Sequence, residues 1–288
     1  MTAGALARRG FGDSVRALNL VTAAGLDTSD DVDVIGALGA AADPDQALLG
    51  LVRLLETSPD PDEVRSALRR ESDLRERLCR VLGAGTALTD HLVRHPEDWR
   101  ELRGADAART PEPEEARRGL LHTVGAHPDD EAPVADPAVV EGDGADPSAT
   151  LRHTLRVAYR RRLLRLVGRD LTGVNSVEEV AAELSDLASS LLDAALAVAR
   201  WESPEDAALC RLSVIGMGKC GGRELNYVSD VDVVFVAEPV GDADEQAALR
   251  AATGLATAMM RIPAETDAEG TLWEVDPALR PEGRNGPL

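Results

Sequence analysis

The chain has 288 residues, with 51 acidic side chains against 31 basic ones and a formal net charge of -20. A field of that sign repels phosphate backbones and anionic bilayers, which excludes broad-face binding to nucleic acid or membrane and leaves a small anionic ligand in need of a metal. Apolar residues make up 44% of the chain, enough for an ordinary core, and no apolar run approaches the roughly 18 residues that a membrane span needs.

The three cysteines, Cys79, Cys210 and Cys220, are odd in number and contain no C-x-x-C pair. They suggest neither a disulfide framework nor a zinc ligand set, and a reducing cytoplasm fits them. Arg8 and Arg9 are not followed by the apolar segment of an export signal. Thirty of the 31 basic residues are arginine, a drift that fits a base-composition bias; the one lysine, Lys219, is read either as a need for a compact ammonium there or as chance.

Residues 1–103 read as a bundle of short helices. Ala47, Leu48, Leu51, Val52 and Leu55 recur at helical spacing behind Asp43-Pro44, and a second helix is expected from Asp62 to Arg70. A third follows Ser72 as N-cap and buries Leu74, Leu78 and Leu82, and a fourth runs from Thr86 to Arg94 before His95-Pro96. Residues 104–150 shift to Asp, Ala and Pro, with no lysine or arginine from Gly125 to Thr150, the composition of a disordered linker. Residues 151–203 read as a helical pair: one helix begins at Leu151 and carries Arg160, Arg161 and Arg162, expected on a solvated or acid-paired face, and the second, Val177 to Arg200, follows a Ser176-x-x-Glu179 capping box.

From residue 204 to 288 the period changes. Arg211–Gly216 and Val231–Ala237 read as strands, Asp242–Arg261 as a helix striped by Leu249, Ala252, Leu255 and Met259, and Thr271–Asp276 as a third strand. The run Gly216-Met217-Gly218-Lys219-Cys220-Gly221-Gly222 matches G-x-G-x-x-G, but only eight residues separate Gly222 from the next strand, too few for a dinucleotide-binding crossover helix. A Walker loop fails as well, since Cys220 stands where Ser or Thr must ligate magnesium.

What remains is a strand ending in glycines and then Ser229-Asp230-Val231-Asp232. Residues i and i+2 of a strand share a face, so Asp230 and Asp232 set two carboxylates side by side, a repulsive pair that a divalent cation relieves. Asp276 offers a third acid if its strand lies alongside, and three carboxylates suit two magnesium ions in an in-line displacement at phosphorus. The similar Asp31-Val32-Asp33 lacks the glycines and is read as a solvated or capping element. His91, His95, His122, His127 and His153 are read as surface or capping residues, Cys220 as a small filler, and Trp99, Trp201 and Trp273 as core or interface anchors.

The segment from Gly216 through Phe235, GMGKCGGRELNYVSDVDVVF, resembles the signature of bacterial glutamine synthetase adenylyltransferases, also called adenylyl-removing enzymes, of the DNA polymerase beta-like nucleotidyltransferase superfamily. The tail from Val275 to Leu288, VDPALRPEGRNGPL, is similar to their second signature, and Arg94-His95-Pro96-Glu97-Asp98-Trp99 and the helices from Leu151 onward carry further likeness. The resemblance implies an α+β fold, a helical N-terminal region followed by a small mixed nucleotidyltransferase sheet that stops short at its C-terminal end. It implies that Asp230, Asp232 and Asp276 bind magnesium and that Gly218, Lys219, Gly221, Gly222, Ser229 and Arg280 approach the nucleotide. It further implies ADP, ATP and phosphate as substrates or products, adenylylated glutamine synthetase as protein substrate and a PII-type nitrogen-signalling protein as a possible partner.

Because the motif lies behind an N-terminal helical region, the likeness is to the half that removes adenylyl groups by phosphorolysis. The alternatives are a non-catalytic interaction or regulatory fragment, and a domain that transfers the adenylyl group from ATP.

Overall fold

The computed structural model describes residues 1–140 and 146–278. They form two compact units, one of residues 1–110 with 163–176 and one of the described residues within 111–162 and 177–278.

In the first unit, helices α1 (Ala3–Ala7), α2 (Ser14–Ala23), α3 (Val32–Gly39), α4 (Pro44–Thr57), α5 (Pro61–Arg70), α6 (Ser72–Ala84), α7 (Thr86–Arg94) and α8 (Gly104–Ala108) follow one another through short turns. Asp43 accepts from the Gln46 N–H ahead of Pro44, and Asp60 does the same for Glu63 ahead of Pro61, so two helix starts are set by an N-cap acid and a proline at the first turn. Leu48, Leu51 and Leu54 of α4 meet Leu74, Leu78 and Leu82 of α6 and Leu92 of α7 in one core. Each fully buried leucine contributes about 1.5–3 kcal/mol of transfer free energy.

Three sequence-based expectations are corrected in this unit. Ser72 is not the N-cap of α6 but its first residue; Glu71 holds the cap position, and the Ser72 hydroxyl donates to Asp73 instead. His91 is not at the surface: it is fully buried with Nε2 at 2.9 Å from Asp98 Oδ2, a polar partner that makes its burial tolerable. Asp31 is a capping residue, as expected, but far from solvated. Its buried carboxylate accepts from the Thr28 N–H and hydroxyl and forms an ion pair of 2.7 Å with Arg69.

That carboxylate carries a stability prediction. Burial pushes the Asp31 pKa up, but the Arg69 and Thr28 hydrogen bonds outweigh it and leave the group below its ordinary 3.8. A depressed folded-state pKa makes the contribution complete above the unfolded value and removes it as pH falls through the folded one. Asp31→Ala is therefore expected to cost about 2 kcal/mol near neutrality, with the gap to wild type closing below pH 3.8. Urea unfolding at pH 7 and in acid checks both; a gap independent of pH would show that the charge contributes nothing.

The second unit is built on α11 (Val177–Glu202), which follows α9 (Pro113–Thr123) and α10 (Pro147–Leu171) in the chain. Leu184, Leu187, Leu191, Leu192 and Leu196 of α11 are buried, as are Leu120 and Leu121 of α9. The described part of 104–150 is therefore folded where a linker is expected. Val124, Ala126 and Ala135 are buried, and the Ala135 N–H donates to the Ala197 carbonyl at 3.0 Å. An average composition hides these few apolar anchors, which suffice once a long helix offers them a surface.

The short α12 (Pro204–Ala207) leads into the sheet. β1 (Cys210–Gly216) pairs antiparallel with β2 (Val231–Pro239), and β2 pairs parallel with β3 (Val275–Asp276), giving the order β1-β2-β3. A short turn of helix, α13 (Gly218–Gly221), joins β1 to β2, whereas α14 (Glu245–Ala264) makes the crossover between parallel β2 and β3. This is the α+β class with a mixed sheet. The third strand is two residues long instead of six, and α14 begins at Glu245 behind its cap Asp244.

Of the three arginines expected on a solvated or acid-paired face of α10, Arg160 departs from that reading. Arg160 is buried and donates to the carbonyls of Glu269 and Thr271, while Arg156 gives two hydrogen bonds to the Ile262 carbonyl and pairs with Asp267 at 2.9 Å. The last carbonyls of a helix have no partner within it, and the planar arginine fork satisfies those at the end of α14. Trp99 is buried as expected, and Trp273 is half-buried with its indole N–H donating to the Tyr159 hydroxyl at 3.1 Å.

Candidate active site

The antiparallel β1–β2 hairpin decides what the glycine-rich run does. β1 stops at Gly216, the chain makes one helical turn over Gly218–Gly221, and it returns at Val231 beside its point of departure, with the Met217 N–H donating to the Asp232 carbonyl at 2.8 Å. The antiparallel pairing also confirms that no dinucleotide-binding crossover is present here. Gly218 has φ of +50°, and a Cβ placed on it would lie 2.4 Å from Asp232 Oδ2. A Cβ on Gly221 would lie 2.4 Å from the Gly216 carbonyl oxygen. Two of the glycines are therefore demanded by close approach, one to a carboxylate and one to the strand end.

β3 completes the site. Its parallel register sets Asp232 opposite Asp276, and the Val231 N–H donates to the Glu274 carbonyl at 2.9 Å. Carboxylate oxygens of Asp230, Asp232 and Asp276 then lie within 4.8 Å of one another, with Asp230 exposed and the other two half-buried. Such a set of hard oxygen donors, negatively charged and open to solvent on one side, fits magnesium, which binds a few carboxylates and retains water. Asp276 is further oriented by the Ala278 N–H, 2.7 Å from its Oδ1, and the Ser229 hydroxyl donates to Asp230 Oδ1 at 3.4 Å.

The remaining predicted residues fall in two groups. Gly218, Lys219, Gly221 and Gly222 sit together on one exposed turn, with Gly218 against Asp232, and Ser229 stands at the entry to β2. Arg280 lies outside the described residues. Cys220 is buried beneath the turn with Sγ 3.9 Å from the Ser189 hydroxyl; burial pushes its thiol pKa up, so it remains a protonated filler.

Sequence reasoning missed the support that α11 gives this turn. Ser185 Oγ accepts the Leu225 N–H at 3.2 Å, and Asp186 pairs with Arg223 at 2.8 Å. The signal was the polar cluster Ser185, Asp186, Ser189, Ser190 interrupting an otherwise Leu- and Ala-rich helix.

The glutamate-ammonia ligase adenylyltransferase family matches residues 75–288, which includes the hairpin and all three carboxylates. The chain belongs to that family. It is 50% identical over 288 residues to the bifunctional glutamine synthetase adenylyltransferase/adenylyl-removing enzyme of Streptomyces avermitilis and 51% identical over 290 residues to that of Streptomyces coelicolor, in each case covering 98% of this chain. The Mycobacterium avium enzyme of the same name is 43% identical over 270 residues, 91% of this chain. The matched region is 26% of each Streptomyces protein and 24% of the mycobacterial one, so the chain spans about a quarter of the length of these relatives. Among the described residues no helix is long and apolar enough to cross a membrane.

Proposed function

We propose that this chain carries the magnesium-dependent catalytic site of the adenylyl-removing reaction, phosphorolysis of an adenylyl-tyrosine on glutamine synthetase to ADP and the free tyrosine. The convergence of Asp230, Asp232 and Asp276 beside a glycine turn carries the reading. Family membership supports the substrate class, since the relatives are named for glutamine synthetase and for both directions of adenylyl transfer. An oxygen of inorganic phosphate attacks the adenylyl phosphorus in line, the phosphorus–oxygen bond to tyrosine breaks, and the phenolate leaves to take up a proton.

Magnesium held by the three carboxylates would neutralise charge on the attacking and leaving oxygens. The chain's own residues do the positioning. Gly218, Gly221 and Gly222 let backbone N–H groups approach phosphate oxygens, Lys219 supplies a compact positive charge, and Ser229 a hydroxyl. Asp232, locked against Gly218 and hydrogen-bonded through its carbonyl to Met217, ties the nucleotide turn to the metal site.

The reading places the protein in the cytoplasm, consistent with three free cysteines among the described residues, with glutamine synthetase as protein substrate and a PII-type protein as regulator. Incubation of the chain with adenylylated glutamine synthetase, phosphate and magnesium is expected to release ADP. Transfer of AMP from ATP onto unmodified glutamine synthetase, without ADP release from the adenylylated form, would assign the opposite direction. Absence of both reactions would overturn catalysis by this chain.

A further inference from the structure

Arg223 stands immediately after Gly221 and Gly222 yet is the one described non-glycine residue with positive φ, at +59°. The left-handed region costs a side-chain-bearing residue roughly 1–2 kcal/mol, and glycine relieves that cost in this same turn at Gly218. An arginine held in such a conformation has a side chain with a task that glycine would not perform. Its guanidinium reaches α11, where Nη2 donates to Asp186 Oδ2 at 2.8 Å.

The ion pair is one of three attachments of the turn to a single stretch of α11. Ser185 Oγ accepts the Leu225 N–H at 3.2 Å, and Ser189 Oγ lies 3.9 Å from Cys220 Sγ. Between these points the turn closes on itself, with the Glu224 N–H donating to the Lys219 carbonyl at 2.7 Å and the Gly222 N–H to the Gly218 carbonyl at 3.0 Å. Displacement of residue 223 therefore moves Lys219 and Gly218, and Gly218 is in contact with the space of Asp232. The Asp186 side chain is 18% exposed against 53% for Arg223, so the acid is fixed in the wall and the arginine is drawn to it. Burial raises the Asp186 pKa above its ordinary value, and the charge and hydrogen bond of Arg223 offset only part of that rise.

We propose that Asp186 and Arg223 are positioning residues that hold the 217–225 turn in its nucleotide-binding shape, the pair acting through the turn and touching neither substrate nor metal. The proposal rests on the nucleotide-site reading given above.

The test is fluorescence titration of the full chain with a MANT-labelled ADP in magnesium, alongside thermal unfolding. Arg223→Ala and Asp186→Asn are each expected to weaken binding about tenfold, equivalent to about 1.4 kcal/mol, with the double variant no weaker than either single one. Arg223→Gly separates the pair from the backbone: it relieves the φ cost and preserves the melting temperature, yet is expected to bind as weakly as Arg223→Ala. Full affinity in Arg223→Gly would show that only the backbone conformation matters and overturn the proposal. Wild-type binding that Asp230→Asn/Asp232→Asn abolishes but Arg223→Ala leaves intact overturns the ion pair alone. Absence of binding in the wild type overturns the nucleotide site and this inference with it.

Discussion

Replacing Asp230 and Asp232 by asparagine is expected to abolish ADP release, a loss of about 10³-fold or more given the charge that metal ions neutralise in phosphoryl transfer. The substitution keeps side-chain volume and removes two of the three negative charges whose oxygens lie within 4.8 Å of one another. It also makes a prediction about stability that is independent of turnover. In the metal-free chain, three close carboxylates repel one another, so removing two charges leaves the melting temperature unchanged or raises it. Magnesium bound to the folded wild type stabilises it by mass action, about 2.7 kcal/mol at a hundredfold excess over Kd. The variant is expected to show no such shift. A magnesium-dependent rise in melting temperature of equal size in both proteins would remove the trio from metal binding.

The second large effect is expected from Gly218→Ala. Two costs coincide there: a side chain at φ of +50°, and a Cβ 2.4 Å from Asp232 Oδ2, a separation at which the carboxylate must move. Gly241, in the turn after β2, provides a control, because its φ is +58° and a Cβ there meets nothing within 4 Å. Gly241→Ala therefore isolates the conformational cost of roughly 1–2 kcal/mol and is expected to retain full activity. Gly218→Ala is expected to lower stability by a similar amount and to reduce ADP release by about 10²-fold, since small misplacements of catalytic groups carry losses of that order. Parallel melting curves and initial rates decide the matter. Equal activity in the two variants would mean that the approach of Gly218 to Asp232 has no catalytic consequence.

The α11 attachments add a layer to this picture. The three carboxylates come from the start of β2 and the end of β3, and the glycine turn from the end of β1, so the candidate site depends on where three strand ends fall. Among the described residues β1 and β2 are in register along seven residue pairs, whereas β2 and β3 are in register along two. The Asp276 side of the site is thus held by the least backbone pairing, supplemented by the Ala278 N–H on its carboxylate.

Local chemistry was readable from the residues in order. Helical stripes such as Leu48–Leu51–Leu55, the Asp43-Pro44 helix start, the apolar strands either side of a glycine run and the i, i+2 acids of Asp230 and Asp232 each follow from a short-range rule of spacing or steric demand. So did the rejection of a dinucleotide fold, because eight residues are too few for a crossover helix whatever surrounds them.

Tertiary structure decided what depends on a distant partner. His91 is buried because Asp98 meets it, Arg156 because a carbonyl in the last turn of α14 requires a donor, Arg160 because carbonyls beyond that helix do, and the acidic stretch around Val124 to Ala135 because α11 offers it a surface. The conformation of Arg223, unfavourable by itself, is held by Asp186, 37 residues earlier in the chain. Spacing determines which way a side chain faces along its own element; only the packing of elements determines what it meets there, and burial of a charge is tolerated only where that meeting supplies its hydrogen bonds.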